Sequence, residues 1–346
     1  MVSAFEQDRP DAAEAAGLVY ADLGRPGLRR RRAGKGFSYL GPDGASLRDQ
    51  ASLARIRALA IPPAWRSVWI CPKPEGHIQA IGYDDKGRRQ YRYHARFREA
   101  REEAKFEHLV AFAEALPRLR RQVAKDMAKT GHGRDKVLAT VISLLESTMI
   151  RVGNAAYAKA NHSYGLTTLL SRHVAIDGAD LKFHFTGKSG KTWRLGVHDR
   201  RVARLVRECQ ELPGQALFQF IDDDGARQSV TSADVNAYLK TATDADITAK
   251  DFRTWAGTVM AATALAEQAR PESAAVAKHI VTDVVRHVSE RLGNTVAICR
   301  KCYVHPEVVN AWLEGTLALA GGREGPEGLK PEEAAVLAFL RRGNSR

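Results

Sequence analysis

Few side chains in this sequence are spaced to do metal or nucleotide chemistry. Cys299-Arg-Lys-Cys302 followed by His305 has the outline of a zinc site. One CxxC plus one histidine supplies three ligands at most, and no second pair lies nearby to complete the four of a structural zinc. Gly187-Lys188-Ser189 has the ending of a phosphate-binding loop, but position 182, where that loop needs glycine, is lysine. A strand, not a helix, is also expected after the serine, so an ATP site is not supported. His77, His108, His132, His162, His173, His184 and His198 show neither HxxxH nor HExxH spacing, and no paired carboxylates stand out, which leaves metal-assisted hydrolysis without ligands. What remains is a set of cations and one tyrosine, spread over four segments. These are Met149-Ile-Arg151-Val-Gly-Asn154-Ala-Ala-Tyr157, Phe185-Thr-Gly-Lys188, Lys250-Asp-Phe-Arg253-Thr-Trp255, and the stretch from Asn294 to Tyr303.

In order and spacing these segments resemble type IB DNA topoisomerases of the poxvirus-like and bacterial group. The stretch around Arg151, running on to Asn161-His-Ser-Tyr-Gly-Leu-Thr-Thr168, is similar to that family's first catalytic-arginine region. Phe185 to Lys188 resembles its catalytic-lysine hairpin, Lys250 to Trp255 its second arginine, and Asn294 to Tyr303 the helix with the nucleophile. Ile61-Pro-Pro-Ala-Trp65, Gly76-His-Ile-Gln79 and Gln90-Tyr-Arg-Tyr-His94 look like its N-terminal domain, so the resemblance covers most of residues 35 to 310. The resemblance implies duplex DNA as partner, a 3′-phosphotyrosyl intermediate, and neither ATP, metal nor other cofactor. By the same route Gln90, Tyr91, Tyr93, Asn154, Tyr157 and Lys250 match DNA-contacting positions.

The implied roles are chemically coherent. A reversible strand break must keep the phosphodiester energy, and a nucleophile such as Tyr303 that forms a phosphoryl-enzyme bond does so without ATP. A phosphate under attack gathers charge on its nonbridging oxygens, and the planar, permanently charged guanidiniums of Arg151 and Arg253 suit that bidentate task. The leaving 5′ oxygen needs a proton, which Lys188 at a hairpin tip can carry as general acid. Asn294 falls where many members have a histidine. Its amide N–H donates the same hydrogen bond without charge or titration.

The elements that must position these groups follow from patterning. From Val68 to Tyr93 short apolar runs are separated by turn signals, which predicts strands at Val68-Trp-Ile70, His77 to Tyr83 and Gln90 to Tyr93. From Ala95 helical periodicity takes over: Ala95 to Leu116, a break at Pro117, Arg118 to Lys129, and Asp135 to Arg151. Leu181 to Phe185 and Thr192 to Val197 alternate as a β-hairpin set among helices, and further helices are expected up to Arg342. The expected fold is α+β. A small, mostly antiparallel β-rich clamp domain spans residues 1–100, and a larger, mainly helical catalytic domain with one hairpin spans 101–346. The run Arg29-Arg30-Arg31-Arg32 reads as a solvated or phosphate-contacting arm.

Composition sets the outer bounds. The chain has 346 residues, 44% apolar and 27% charged, which is globular, and the size suggests two domains. No stretch reaches a membrane span, and Glu6, Asp8 and Arg9 interrupt any leader, so a cytoplasmic, nucleoid-associated monomer with free thiols at Cys71, Cys209, Cys299 and Cys302 is expected. The 53 Lys and Arg against 40 Asp and Glu give +13, an excess that attracts polyanions. A noncatalytic DNA-binding protein would share that charge but has no need of the full cation–tyrosine set. A tyrosine recombinase or integrase is the nearer rival. Its second arginine usually stands in HxxR, whereas here the context is Lys250-Asp-Phe-Arg253.

Overall fold

A computed structural model describes residues 10–319 and 327–343. The first nine residues, expected to hold no leader, lie outside the described residues. The chain divides into two compact units, 1–105 and 106–346.

The first unit opens with helix α1 (Pro10–Ala15) and is built on a five-stranded antiparallel sheet. Its strands are β1 (Leu28–Ala33), β2 (Gly36–Leu40), β3 (Arg66–Ile70), β4 (Ile78–Tyr83) and β5 (Arg89–Tyr93), in the order β2-β1-β3-β4-β5, with helix α2 (Gln50–Ala58) inserted after β2. Strand alternation sends Leu28, Val68, Ile70 and Ala80 to one face, where they bury Ile56 of α2. Ile81 goes to the other, and a bulge between Ile78 and Ala80 turns Ile78 the same way, with Ala21 and Cys71.

The four-arginine run corrects the expectation of a solvated arm, for it is strand β1, paired in register with β2 from Arg29–Leu40 to Ala33–Gly36. Arg30 explains the recruitment. Its guanidinium donates to the carbonyls of Ile61 (3.2 Å), Pro62 (3.0 Å) and Trp65 (2.6 Å) and lies 4.2 Å over the Phe37 ring. A Pro-Pro turn cannot offer N–H groups of its own, so its carbonyls need outside donors. Composition alone does not register that demand. Likewise Gln79, buried, accepts from Arg55 (2.6 Å) and donates to the carbonyls of Pro74 and Gly76. Buried His77 accepts from the Ala21 N–H at 2.9 Å. The residues that carried the resemblance in this unit are therefore nodes of its packing.

Helix α3 (Ala95–Met127) is continuous through Pro117, where the sequence predicts a break. Proline there removes one backbone hydrogen bond, at a cost of about 3 kcal/mol. Leu109, Phe112, Leu116 and Leu119 on the same helix are each about 1% exposed. Burying each such side chain is worth about 1.5–3 kcal/mol, so the stripe outweighs the break.

The second unit is helical around a small sheet. After α4 (Arg134–Thr148) and α5 (Ala155–Asn161), strands β6 (Val174–Asp177), β7 (Asp180–Thr186) and β8 (Thr192–His198) form a three-stranded antiparallel sheet. The expected hairpin is β7–β8, and β6 is an added edge strand. Then come α6 (Arg200–Glu211), a short pair β9 (Gln219–Ile221) and β10 (Arg227–Ser229), and helices α7 (Ser232–Thr243), α8 (Ala249–Ala266), α9 (Ala274–Leu292), α10 (Val296–Cys302), α11 (Pro306–Glu314) and α12 (Pro331–Gly343). One core of buried side chains runs from Phe106 to Leu340 through these elements. No helix among the described residues is long and apolar enough to cross a membrane.

Candidate active site

Four of the five predicted site residues are brought together by chain ends. Helix α4 ends at Met149, which takes a left-handed φ of 57° and turns the chain out of the helix. The following segment is clasped by Gly165–Thr168. The Leu166 N–H donates to the Arg151 carbonyl at 2.9 Å, and the Thr167 hydroxyl to the Gly153 carbonyl at 3.2 Å. A Cβ on Gly165 would fall 2.4 Å from the Arg151 carbonyl oxygen and one on Gly153 2.3 Å from Thr168 Oγ1, so both positions need glycine for space. The paired motifs Arg151-Val-Gly153 and Gly165-Leu-Thr-Thr168 are thus the two halves of one clasp that fixes where Arg151 emerges.

Arg253 emerges from the first turns of α8, which Thr248 and Asp251 cap reciprocally. It is 3% exposed and donates to the carbonyls of Met149 and, at 2.5 Å, Leu292. It also donates to Asn294 Oδ1 at 2.7 Å, and the same oxygen accepts from Arg151 at 2.8 Å. One amide oxygen therefore joins the two guanidiniums. Only the oxygen end of the amide can accept twice, which fixes the flip and leaves Asn294 Nδ2 as the donating end. Among the described residues neither arginine forms an ion pair. Burial, and then the like charge of Arg151, pull the Arg253 guanidinium down to about 10, still charged at neutral pH.

Tyr303 caps the C-terminus of α10, with Arg253 5.1 Å over its ring. Helix α8 packs flush on its backbone. A Cβ on Gly257 would lie 2.5 Å from the Tyr303 carbonyl oxygen, and the hydroxyl of Thr258 bridges that oxygen (3.4 Å) and the His305 N–H (3.1 Å). Burial alone would raise the phenol. The charge and hydrogen bond of Arg253, with Arg151 and Lys250 beyond, outweigh it and hold Tyr303 below the ordinary phenol range.

Lys188 stands apart. It is exposed on the tight turn between β7 and β8, closed by the Gly187 N–H donating to the Lys191 carbonyl at 2.8 Å, with Ser189 at a left-handed φ of 65°. Among the described residues its ammonium makes no hydrogen bond to Arg151, Arg253, Asn294 or Tyr303. The root of the hairpin is tied to the arginine clasp, because the Tyr164 N–H donates to the Thr186 carbonyl at 2.8 Å.

The residues matched to DNA-contacting positions have ordinary structural duties as well. Gln90 donates to Asp84 at 2.9 Å, Tyr91 stacks on Tyr93 at 5.9 Å, and Tyr93 on Phe97 at 5.7 Å. Asn154 caps α5 by accepting from the Tyr157 N–H at 2.9 Å, Tyr157 is half-buried, and Lys250 is exposed on α8. Cys299 is buried and its thiol pushed up to about 11 by desolvation, and no group of His, Cys, Asp and Glu among the described residues could hold a metal ion. Sequence reasoning missed Gly257 and Thr258. A Gly-Thr pair in the interior of an apolar helix is a signal for both, since helical glycine is unfavourable unless something must come close.

Residues 94–316 match the family model described as eukaryotic DNA topoisomerase I, catalytic core, and residues 36–84 that of the bacterial DNA topoisomerase IB N-terminal domain. The chain is 30% identical over 285 residues to DNA topoisomerase 1B of Acanthamoeba polyphaga mimivirus, covering 80% of this chain and 85% of that protein. Similarity to DNA topoisomerase 1B of Vaccinia virus (strain Western Reserve) is 30% over 121 residues, 34% of this chain and 38% of the other. To DNA topoisomerase 1 of Rabbit fibroma virus it is 26% over 137 residues, 39% and 42%. The chain belongs to the type IB DNA topoisomerase family.

Proposed function

We propose that the chain relaxes supercoiled duplex DNA by cutting and resealing one strand through Tyr303. The observation that carries this reading is the shared oxygen of Asn294. It holds two guanidiniums beside a phenol whose acidity they raise, with no carboxylate among the described residues to neutralise either. Tyr303, its phenolic proton released to solvent, attacks the scissile phosphorus as phenolate, forming a 3′-phosphotyrosyl bond as the bond to the 5′ oxygen breaks. Lys188 gives that oxygen its proton. The downstream duplex swivels, and the 5′ hydroxyl attacks the phosphotyrosine, returning the proton and the phenol. Arg151 and Arg253 neutralise the nonbridging oxygens in both directions, and the Asn294 amide N–H is the group left to donate to the same phosphate. Gln90, Tyr91, Tyr93, Asn154, Tyr157 and Lys250 contact the duplex around the cut. The step conserves phosphodiester energy, so ATP is not consumed, and the guanidiniums supply the charge that a metal supplies elsewhere. The protein works as a monomer on DNA in the cytoplasm.

The test is relaxation of a supercoiled plasmid in EDTA without ATP, stopped with detergent. Relaxed topoisomers together with a covalent protein–DNA adduct are expected. Binding without either product would leave a noncatalytic DNA-binding protein.

A further inference from the structure

An exposed Lys188 with no bond to the buried cluster needs something to hold it in place, because a general acid must meet the leaving oxygen of a phosphate held by other residues. Among the described residues no hydrogen bond joins the turn that carries Lys188 to the arginines. One side chain does touch both loops. Trp193 on β8 faces Phe185 across the hairpin, with rings stacked at 6.1 Å and 1°. Its indole is wedged between two glycines. A Cβ on Gly187 would lie 2.6 Å from Nε1 and 2.7 Å from Cδ1. On the benzo edge, a Cβ on Gly293 would lie 2.5 Å from Cζ2 and 3.0 Å from Cη2. Gly187 immediately precedes Lys188, and Gly293 immediately precedes Asn294, whose oxygen holds both arginines.

Each glycine is needed for this contact. Gly187 has an extended backbone that any residue adopts, so the space taken by the indole is what excludes a side chain. Gly293 adds a left-handed φ of 63° as the cap of α9. A cleft of about 320 Å³ opens alongside, lined by Thr148, Trp193, Leu195 and Glu290 among others.

We propose that Trp193 is a positioning residue for the proton-transfer step, an aromatic spacer that fixes the Lys188 turn against the Gly293–Asn294 loop. The inference rests on Lys188 acting as the general acid. Without the indole the cluster around Tyr303 keeps its hydrogen bonds, while the tip is free to tilt into the cleft. An error of about 1 Å in a reacting group costs on the order of a hundredfold in rate. Trp193 touches neither DNA nor phosphate in this account. Its loss should therefore resemble loss of the lysine.

The experiment compares single-turnover cleavage by Trp193→Ala, Trp193→Phe and Lys188→Ala on two duplexes, one ordinary and one with sulfur as the bridging 5′ atom at the cut. A thiolate leaves without a proton, so the sulfur substrate reads the acid step apart from the rest. Trp193→Phe keeps the stack on Phe185 but withdraws the edge from Gly293, and serves if the alanine variant does not fold. Both tryptophan variants should cleave the ordinary strand roughly tenfold to a hundredfold more slowly, cleave the sulfur strand near the wild-type rate, and bind DNA normally. Equal slowing on both substrates, or none on either, would overturn the inference while rescue of Lys188→Ala leaves the general-acid reading standing. Failure of sulfur to rescue Lys188→Ala itself would overturn that reading and the inference together.

Discussion

The cluster around Tyr303 and the turn that carries Lys188 are built on opposite plans. Arg253 is 3% exposed, fixed by carbonyls from two helix ends and by Asn294, and shares that amide oxygen with Arg151. Lys188 is exposed on a tight turn and makes none of these bonds. The contrast suits the two tasks proposed for them. Stabilising charge on a phosphate requires donors fixed before the substrate arrives, in a place where water does not screen them. Delivering a proton requires reach and a group that changes its charge during the step, which a buried, fully bonded cation does poorly.

Substitutions at four positions sharpen that contrast, and the largest effect is expected at Tyr303. Tyr303→Phe should abolish the detergent-trapped adduct while keeping DNA affinity, because only the phenolic oxygen is lost. An adduct at wild-type level would move the nucleophile elsewhere. Arg253→Ala should slow cleavage and religation together by several kcal/mol, on the order of a hundredfold to a thousandfold, since both steps pass through the same charged phosphorane. Arg253→Lys should recover little, because an ammonium cannot reach the Met149 and Leu292 carbonyls and Asn294 in one plane. Full recovery would show that charge alone is required.

Next in size is a shift in pH dependence. The depressed Tyr303 phenol becomes phenolate as pH rises, so the cleavage rate should climb with pH and level off below the ordinary phenol value of about 10. Arg151→Ala removes one of the cations that depress it, so the levelling should move to higher pH, read from single-turnover rates across a pH series. An unmoved profile would detach the arginine from the phenol. Asn294→Ala should cost least, about tenfold, the worth of roughly one net hydrogen bond. Asn294→Asp should cost more than alanine, since a carboxylate between the guanidiniums neutralises the charge meant for phosphate.

How much of this could be read from the sequence divides along physical lines. The strands from Val68 to Tyr93 and the hairpin around Lys188 were legible because alternation and turn residues are local signals. Motif order also displays the five candidate site residues, of which the structure gathers Arg151, Arg253, Asn294 and Tyr303. The β1 strand was not legible, since four consecutive arginines have no alternation of hydropathy, and only the cluster of carbonyls from Ile61 to Trp65 explains why Arg30 turns inward. Pro117 misled for the complementary reason. Its local cost is visible in sequence, while the buried stripe that offsets it depends on helices far along the chain. In the site, the role of Asn294 as an acceptor bridging two arginines was hidden, because which end of an amide faces which partner is decided by the fold.

The division of labour itself is tested most directly by the bridging-sulfur substrate on Lys188→Ala beside Arg151→Ala and Arg253→Ala. The lysine variant should regain nearly the wild-type cleavage rate, because the thiolate departs unprotonated. The arginine variants should gain far less, because the charge they neutralise lies on nonbridging oxygens. Equal rescue of all three, or none for Lys188→Ala, would contradict the account.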